Sequence, residues 1–126
     1  MDEIPTSGPR MNVVITGGRD FADRDLLFAV LDDIHDTRGP ITLIRNGGMT
    51  GADALSSRWA YERQVDTECV GALWGQYRKR AGPIRNEWMI SRGTDVLVAF
   101  PGGRGTANTI EIARRYHHIE VIEVGR

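Results

Sequence analysis

A chain of 126 residues suits one domain built around one core, and 16 Lys and Arg against 17 Asp and Glu leave a formal net charge of -1. No net basic field draws it to nucleic acid, although a local basic patch stays open. No apolar run approaches a membrane span, and Cys69, the single cysteine, excludes a disulfide framework and a thiolate metal cluster. The first ten residues, MDEIPTSGPR, lack the basic start and apolar stretch of a signal peptide. They are expected to be a flexible tail in front of one domain over 11–126, and these features together predict a cytoplasmic protein.

In chain order, MNVVITGG predicts a buried strand over 12–16, stopped by Gly17 and Gly18. DRDLLFAVLDDIHDTRG predicts a helix, because Leu27, Leu31 and Ile34 recur at helical spacing and Gly39 with Pro40 ends it. ITLIRNGG is a second strand, again stopped by a glycine pair, Gly47 and Gly48. TGADALSSRWAYERQ is a second helix, with Ala52, Leu55, Trp59 and Ala60 mostly on one face. DTECVGAL reads as a third strand, WGQYRKRAGP as a polar, irregular connection, and IRNEWMISRG as a short helix ending near Gly93. DVLVAF is a strand apolar enough to be buried on both faces. GTANTIEIARRYHH closes the chain with a helix, followed by a last strand, EVIEV. Strands alternating with helices predict an α/β fold of Rossmann-like type: one doubly wound, parallel, five-stranded sheet in the order 3-2-1-4-5.

Three glycine clusters follow the first, second and fourth strands: Gly17 with Gly18, Gly47 and Gly48 with Gly51, and Gly102 and Gly103 with Gly105. In the predicted order those strands are neighbours, so the loops emerge side by side where the strand order reverses, the crevice in which open sheets bind ligands. Glycine lets backbone N–H groups approach a ligand, and two clusters run into helix N-termini that favour an anion. Phosphate is the natural candidate. The loops are not a P-loop, since no glycine precedes Lys-Ser or Lys-Thr, and GGRGTAN lacks the third spaced glycine of the dinucleotide fingerprint.

The stretch PGGRGT, Pro101 to Thr106, after an apolar strand resembles the PGGxGT motif of the SLOG superfamily. That superfamily includes the Lonely Guy phosphoribohydrolases and the DNA-processing protein DprA. VVITGGRDF, IRNGGMTGADALSSRWA, AGPIRNEWM and VAFPGGRGTANTI together are similar to its YspA/YpsA-related branch, common in bacteria and phages. The resemblance covers most of residues 12–110. It implies a Rossmann-like fold, a bacterial or phage-infected cell as host, homo-oligomers, and a nucleotide or nucleotide-derived ligand held by the motif residues, Arg104 included. Arg85 matches by type and context an arginine that contributes to the Lonely Guy catalytic site, and Asn86 follows it. Those enzymes continue PGGxGT with a catalytic glutamate, where this chain has Thr109. Glu111 is turned away by roughly 200° on a helix, and threonine supplies no carboxylate.

Other side chains read two ways. Arg19 suits a phosphate or carboxylate, or is a solvated loop arginine. Asp53, in a helix first turn, is a dipole partner or a contact to a ribose hydroxyl, and with Arg85 is a candidate catalytic group. Trp74 stacks on a base or caps the core. Trp59 and Trp88 read as packing or interface residues, and Cys69 as a buried, small apolar one. His35, His117 and His118 are scattered and form no readable metal site, and no cofactor is implied. Three functions follow: a nucleotide sensor or sequestering protein, a nucleotide N-glycosidic hydrolase, and a DprA-like DNA-binding module. The near-neutral charge and the lack of an evident basic-aromatic strip weigh against the third.

Overall fold

The computed structural model describes residues 10–125. The expected tail over 1–10 lies outside them except for Arg10. Five parallel strands, β1 (Asn12–Thr16), β2 (Leu43–Asn46), β3 (Asp66–Cys69), β4 (Val96–Ala99) and β5 (Glu120–Glu123), form one sheet in the order β3-β2-β1-β4-β5. That is the order read from the sequence. Thr16 pairs with Ala99, and Val14 with both Arg45 and Leu97, so the ends of β1 and β4 are level.

Alternation along β1 divides the core into two layers. Val13 and Ile15 face α1 (Arg24–Thr37) and α2 (Ala52–Arg63), packing with Leu27, Leu31, Ile34 and Trp59. Val14 and Leu97 face the opposite way, toward Met89 and Ile90 of α4 (Ala81–Ser91) and Ile112 and Ala113 of α5 (Arg104–Ala113). Asp23 caps α1 by accepting from the Leu26 N–H at 3.1 Å. Asp32 joins the first helix pair, accepting from Trp59 Nε1 and Arg63 Nε, each at 2.9 Å. No helix among the described residues is long and apolar enough to cross a membrane.

Several expectations are corrected. The connection 74–83 is not irregular: α3 (Trp74–Tyr77) leads through a 3-10 turn (Arg78–Arg80) into α4, which starts at Ala81. Pro83 lies within the first turn of α4, where the N–H it lacks has no intrahelical partner anyway. The third strand ends at Cys69 instead of running to Leu73, and Cys69 is exposed because β3 is a sheet edge. The last helix ends at Ala113, before His117 and His118.

Arg45 is 5% exposed within the sheet. Its Nε donates to Glu68 Oε1 at 2.8 Å, and its Nη1 to the carbonyls of Met89 at 2.9 Å and Arg92 at 3.1 Å. A cation therefore sits against the negative end of α4 and fixes that helix on the sheet. Arg45→Met is expected to cost about 2–3 kcal/mol in urea denaturation, because buried carbonyls lose a charged donor. Glu68→Gln, at the half-exposed partner, is expected to cost less than about 1 kcal/mol. Equal losses would mean that the surface ion pair, rather than the helix end, is what Arg45 serves.

Candidate functional site

The loops after β1, β2 and β4 meet at the carboxyl edge of the sheet. The Gly18 N–H donates to the Pro101 carbonyl at 2.8 Å, and the Gly18 carbonyl accepts from the N–H of Ala52, at the start of α2, at 3.2 Å. Gly51, at the N-cap of α2, has φ +77°, and a Cβ there would collide with the Gly18 carbonyl oxygen. A Cβ on Gly17 would come within 2.6 Å of Ala52 Cβ, and one on Gly102 within 2.8 Å of the Gly18 nitrogen. These three glycines let the loops pack on one another. Gly103 and Gly105 differ, since a Cβ on either meets nothing within 4 Å.

Between the loops lies a crevice of about 80 Å³. Thr16 and Gly17 line it from β1, Gly47, Met49 and Asp53 from the β2 side, and Gly105 and Thr106 from α5. Arg19, Arg85, Asn86 and Met89 complete the lining. Pro101, Gly102 and Gly103 border a separate hollow of about 280 Å³ on the other side of their loop, and Thr106 borders both. Gly18, Gly48, Gly51, Trp74 and Arg104 line neither hollow. Trp74 is half-exposed on α3, its ring edge over Gly82. Among the described residues no three His, Cys, Asp or Glu side chains cluster to hold a metal ion.

Arg85 is held on three sides. Its Nε donates to Asn86 Oδ1 at 2.8 Å, and its Nη1 to the carbonyls of Gly47 and Val70, each at 3.2 Å. Its Nη2 has no hydrogen-bond partner among the described residues. A Cβ on Gly47 would stand 2.6 Å from Nη1, so this close approach needs glycine. Asn86 is buried and donates to Asn108 Oδ1 at 3.0 Å, which links the arginine's support to α5. Desolvation pushes the pKa of the Arg85 guanidinium down, and the Arg19 charge adds to this while Asp53 opposes it.

Asp53 Oδ2 accepts from the Gly47 and Met49 N–H groups, each at 3.1 Å, so the carboxylate shapes the β2–α2 loop from within. Burial raises its pKa above the ordinary 3.8, against the pull of those N–H groups and of Arg85. Two arginines, Arg19 and Arg85, thus border the crevice against one carboxylate. The first turn of α5 adds a dipole, with no side chain capping it at Gly103. The crevice thus carries more positive than negative charge.

Asn46 and Asn108 stand out only in the structure. Asn46 is fully buried; its Nδ2 donates to the Asp53 carbonyl at 3.0 Å and to Ser56 Oγ at 2.9 Å, and its Oδ1 accepts from the Gly48 N–H at 2.9 Å. A polar residue ending an apolar strand just before a glycine pair is the signal that could have found it. Thr109 is buried and donates to the Gly105 carbonyl at 3.0 Å. Glu111 is exposed on the outer side of the same helix.

A carboxyl whose folded pKa is raised weakens the fold only where it is ionised. The penalty is absent below the unfolded carboxylate range, sets in as pH rises through it, and is complete above the raised folded value. Asp53→Asn keeps an oxygen able to accept from both N–H groups and cannot ionise. Stability measured in urea from about pH 3 to about pH 7 should fall less with rising pH in the variant than in the wild type. Parallel curves would place Asp53 in a less desolvated setting.

Comparison with known proteins bears on the family and the fold. The model of the YspA, cpYpsA-related SLOG family matches residues 11–77, a match that ends before Arg85 and the PGGRGT loop. The Gene 61 protein of Mycobacterium phage D29 is 38% identical over 112 residues, covering 82% of this chain and 88% of the phage protein. Among solved structures, the structural-genomics target TM1055 superposes with a TM-score of 0.64 at 15% identity, covering 90% of this chain and 92% of that one. A molybdenum cofactor binding protein from the phototrophic bacterium Rippkaea orientalis superposes with a TM-score of 0.62 at 18% identity, covering 96% of this chain and 80% of that one. The family match over residues 11–77, with the 38% identity to the phage protein, shows that the chain belongs to the YspA, cpYpsA-related SLOG family.

Proposed function

We propose that this protein binds a nucleotide or nucleotide-derived small molecule, as a sensor or sequestering protein, with a phosphate group in the crevice. The observation that carries this reading is the Arg85 guanidinium, oriented by three hydrogen bonds while its Nη2 lacks a partner among the described residues. Arg19 and the uncapped first turn of α5 border the same space. SLOG membership supports a small-molecule or nucleotide-related function, and sharing a fold with a protein named for cofactor binding is in keeping with it. A volume of about 80 Å³ suits one phosphate group and leaves the rest of the ligand outside the crevice. Self-association belongs to this reading, as implied by the resemblance to SLOG proteins. Sedimentation at micromolar concentration should then show more than monomer.

The second reading is hydrolysis of a nucleotide N-glycosidic bond. One observation favours it: Asp53 is a buried carboxyl with a raised pKa at the crevice. Against it, the Asp53 carboxylate oxygen Oδ2 is already engaged by two N–H groups. Thr109 offers no carboxylate, and an oxocarbenium-like transition state needs an anion or base nearby.

Gly105→Val tests the binding reading. Gly105 lies in α5, and its Cβ would enter open space beside the crevice, so the fold is expected to persist. Calorimetry with AMP and with inorganic phosphate should show affinity reduced by at least about tenfold; unchanged affinity would remove α5 from the site. Incubation with AMP should release little or no adenine. Robust release that vanishes in Arg85→Ala would replace the binding reading with the enzymatic one.

A further inference from the structure

Next to the crevice, between α3 and α4, lies a second recess of about 320 Å³, lined by Val70, Leu73, Tyr77, Ile84, Arg85 and Trp88 among others. Arg85 is common to both hollows, and a single nitrogen joins their walls. Its Nη1 donates to the Gly47 carbonyl, on the crevice side, and to the Val70 carbonyl, on the recess side. The recess is mostly apolar, yet open: Leu73 is 58% exposed, Ile84 38% and Trp88 36%. Arg92 covers one face of the Trp88 ring, its guanidinium carbon 3.9 Å from the ring centroid. No acidic residue occurs between Cys69 and Glu87.

We infer that this recess is the subsite for the heterocyclic base of the nucleotide, one guanidinium removed from the phosphate. The inference rests on the phosphate reading of the crevice. Four observations separate a base from other occupants. The volume falls in the range of about 300–1,000 Å³ typical of small-molecule pockets, whereas the crevice does not. The recess is concave, and a flat contact with a second copy would leave it unfilled. Its aromatic lining, Trp88 and Tyr77, suits a planar ring better than an aliphatic chain. It shares Arg85 with the crevice, which puts the two hollows on either side of one guanidinium. With so apolar a lining the base is recognised by area more than by its hydrogen-bonding edge, so purines bind more tightly than pyrimidines.

The test is calorimetric titration of the full chain with inorganic phosphate, ribose 5-phosphate, AMP, GMP, CMP and UMP. AMP is expected to bind at least about tenfold more tightly than ribose 5-phosphate, within the range of aromatic stacking on one base. Trp88→Ala should abolish most of that gap while leaving ribose 5-phosphate binding as it was. Ile84→Ser should narrow the gap, and Tyr61→Ala, at an exposed aromatic on α2, should not change it. If ribose 5-phosphate binds but no nucleotide binds more tightly, or if the gap survives Trp88→Ala, the base subsite is overturned and the phosphate reading stands. If Trp88→Ala instead lowers the sedimentation coefficient with the gap intact, the recess belongs to a copy–copy contact and the inference fails. If none of the six probes binds, the phosphate reading itself falls, and the base subsite with it.

Discussion

The peptide of Gly18 is the point on which the site depends. Its N–H is bonded to the loop after β4 and its carbonyl to the start of α2, so one residue after β1 ties three chain segments together. Neither bond forms if the neighbouring backbones stand off by a side chain, as the close approaches at Gly17, Gly51 and Gly102 demonstrate. The parallel sheet sets the height of the loops, because β1 and β4 end in register. The glycines then close the remaining distance. The crevice is the gap left between loops that have packed as closely as their backbones allow.

Charge within that gap is arranged rather than merely present. Asp53 faces inward to hold the N–H groups of its own loop, and its ionised form is disfavoured by burial. Arg85 is likewise desolvated and is oriented by carbonyls rather than by a carboxylate. A carboxylate partner would neutralise the guanidinium, whereas carbonyls leave its charge available to an incoming anion. Arg45 acts one layer further out: it fixes the C-terminal end of α4, the helix that carries Arg85 and Asn86. Arg45 and Arg85 thus meet the same helix, one at its C-terminal end and the other within it.

The architecture was legible because its signals are periodic. Apolar runs such as VVIT and VLVA, short and rich in Val and Ile, fit strands buried on both faces, and glycine pairs mark where they stop. What failed depends on tertiary placement. WGQYRKRAGP is polar and carries Gly and Pro, yet packing on α4 makes most of it helical. Cys69 looks apolar but lies on an edge strand, which no local pattern reveals. The glycines looked alike in sequence, and only the built backbone separates those that pack loops together from those that border open space. Trp88, expected to pack or to form an interface, lines the recess, while Trp74 lines neither the crevice nor the recess.

The absence of a glutamate at position 109 acquires a physical meaning from the structure. In the enzymes that the motif resembles, that carboxylate belongs at the site. Here Thr109 is buried, does not line the crevice, and bonds back to its own helix through the Gly105 carbonyl. Satisfying a hydroxyl in this way needs no water and no ligand. Asn108, one residue earlier, is engaged with Asn86 and so with the support of Arg85. This stretch of α5 therefore braces the arginine instead of contributing an acid. Neither Thr109 nor Asn108 supplies an acid to the crevice, and only Asn108 supports the side chains that line it.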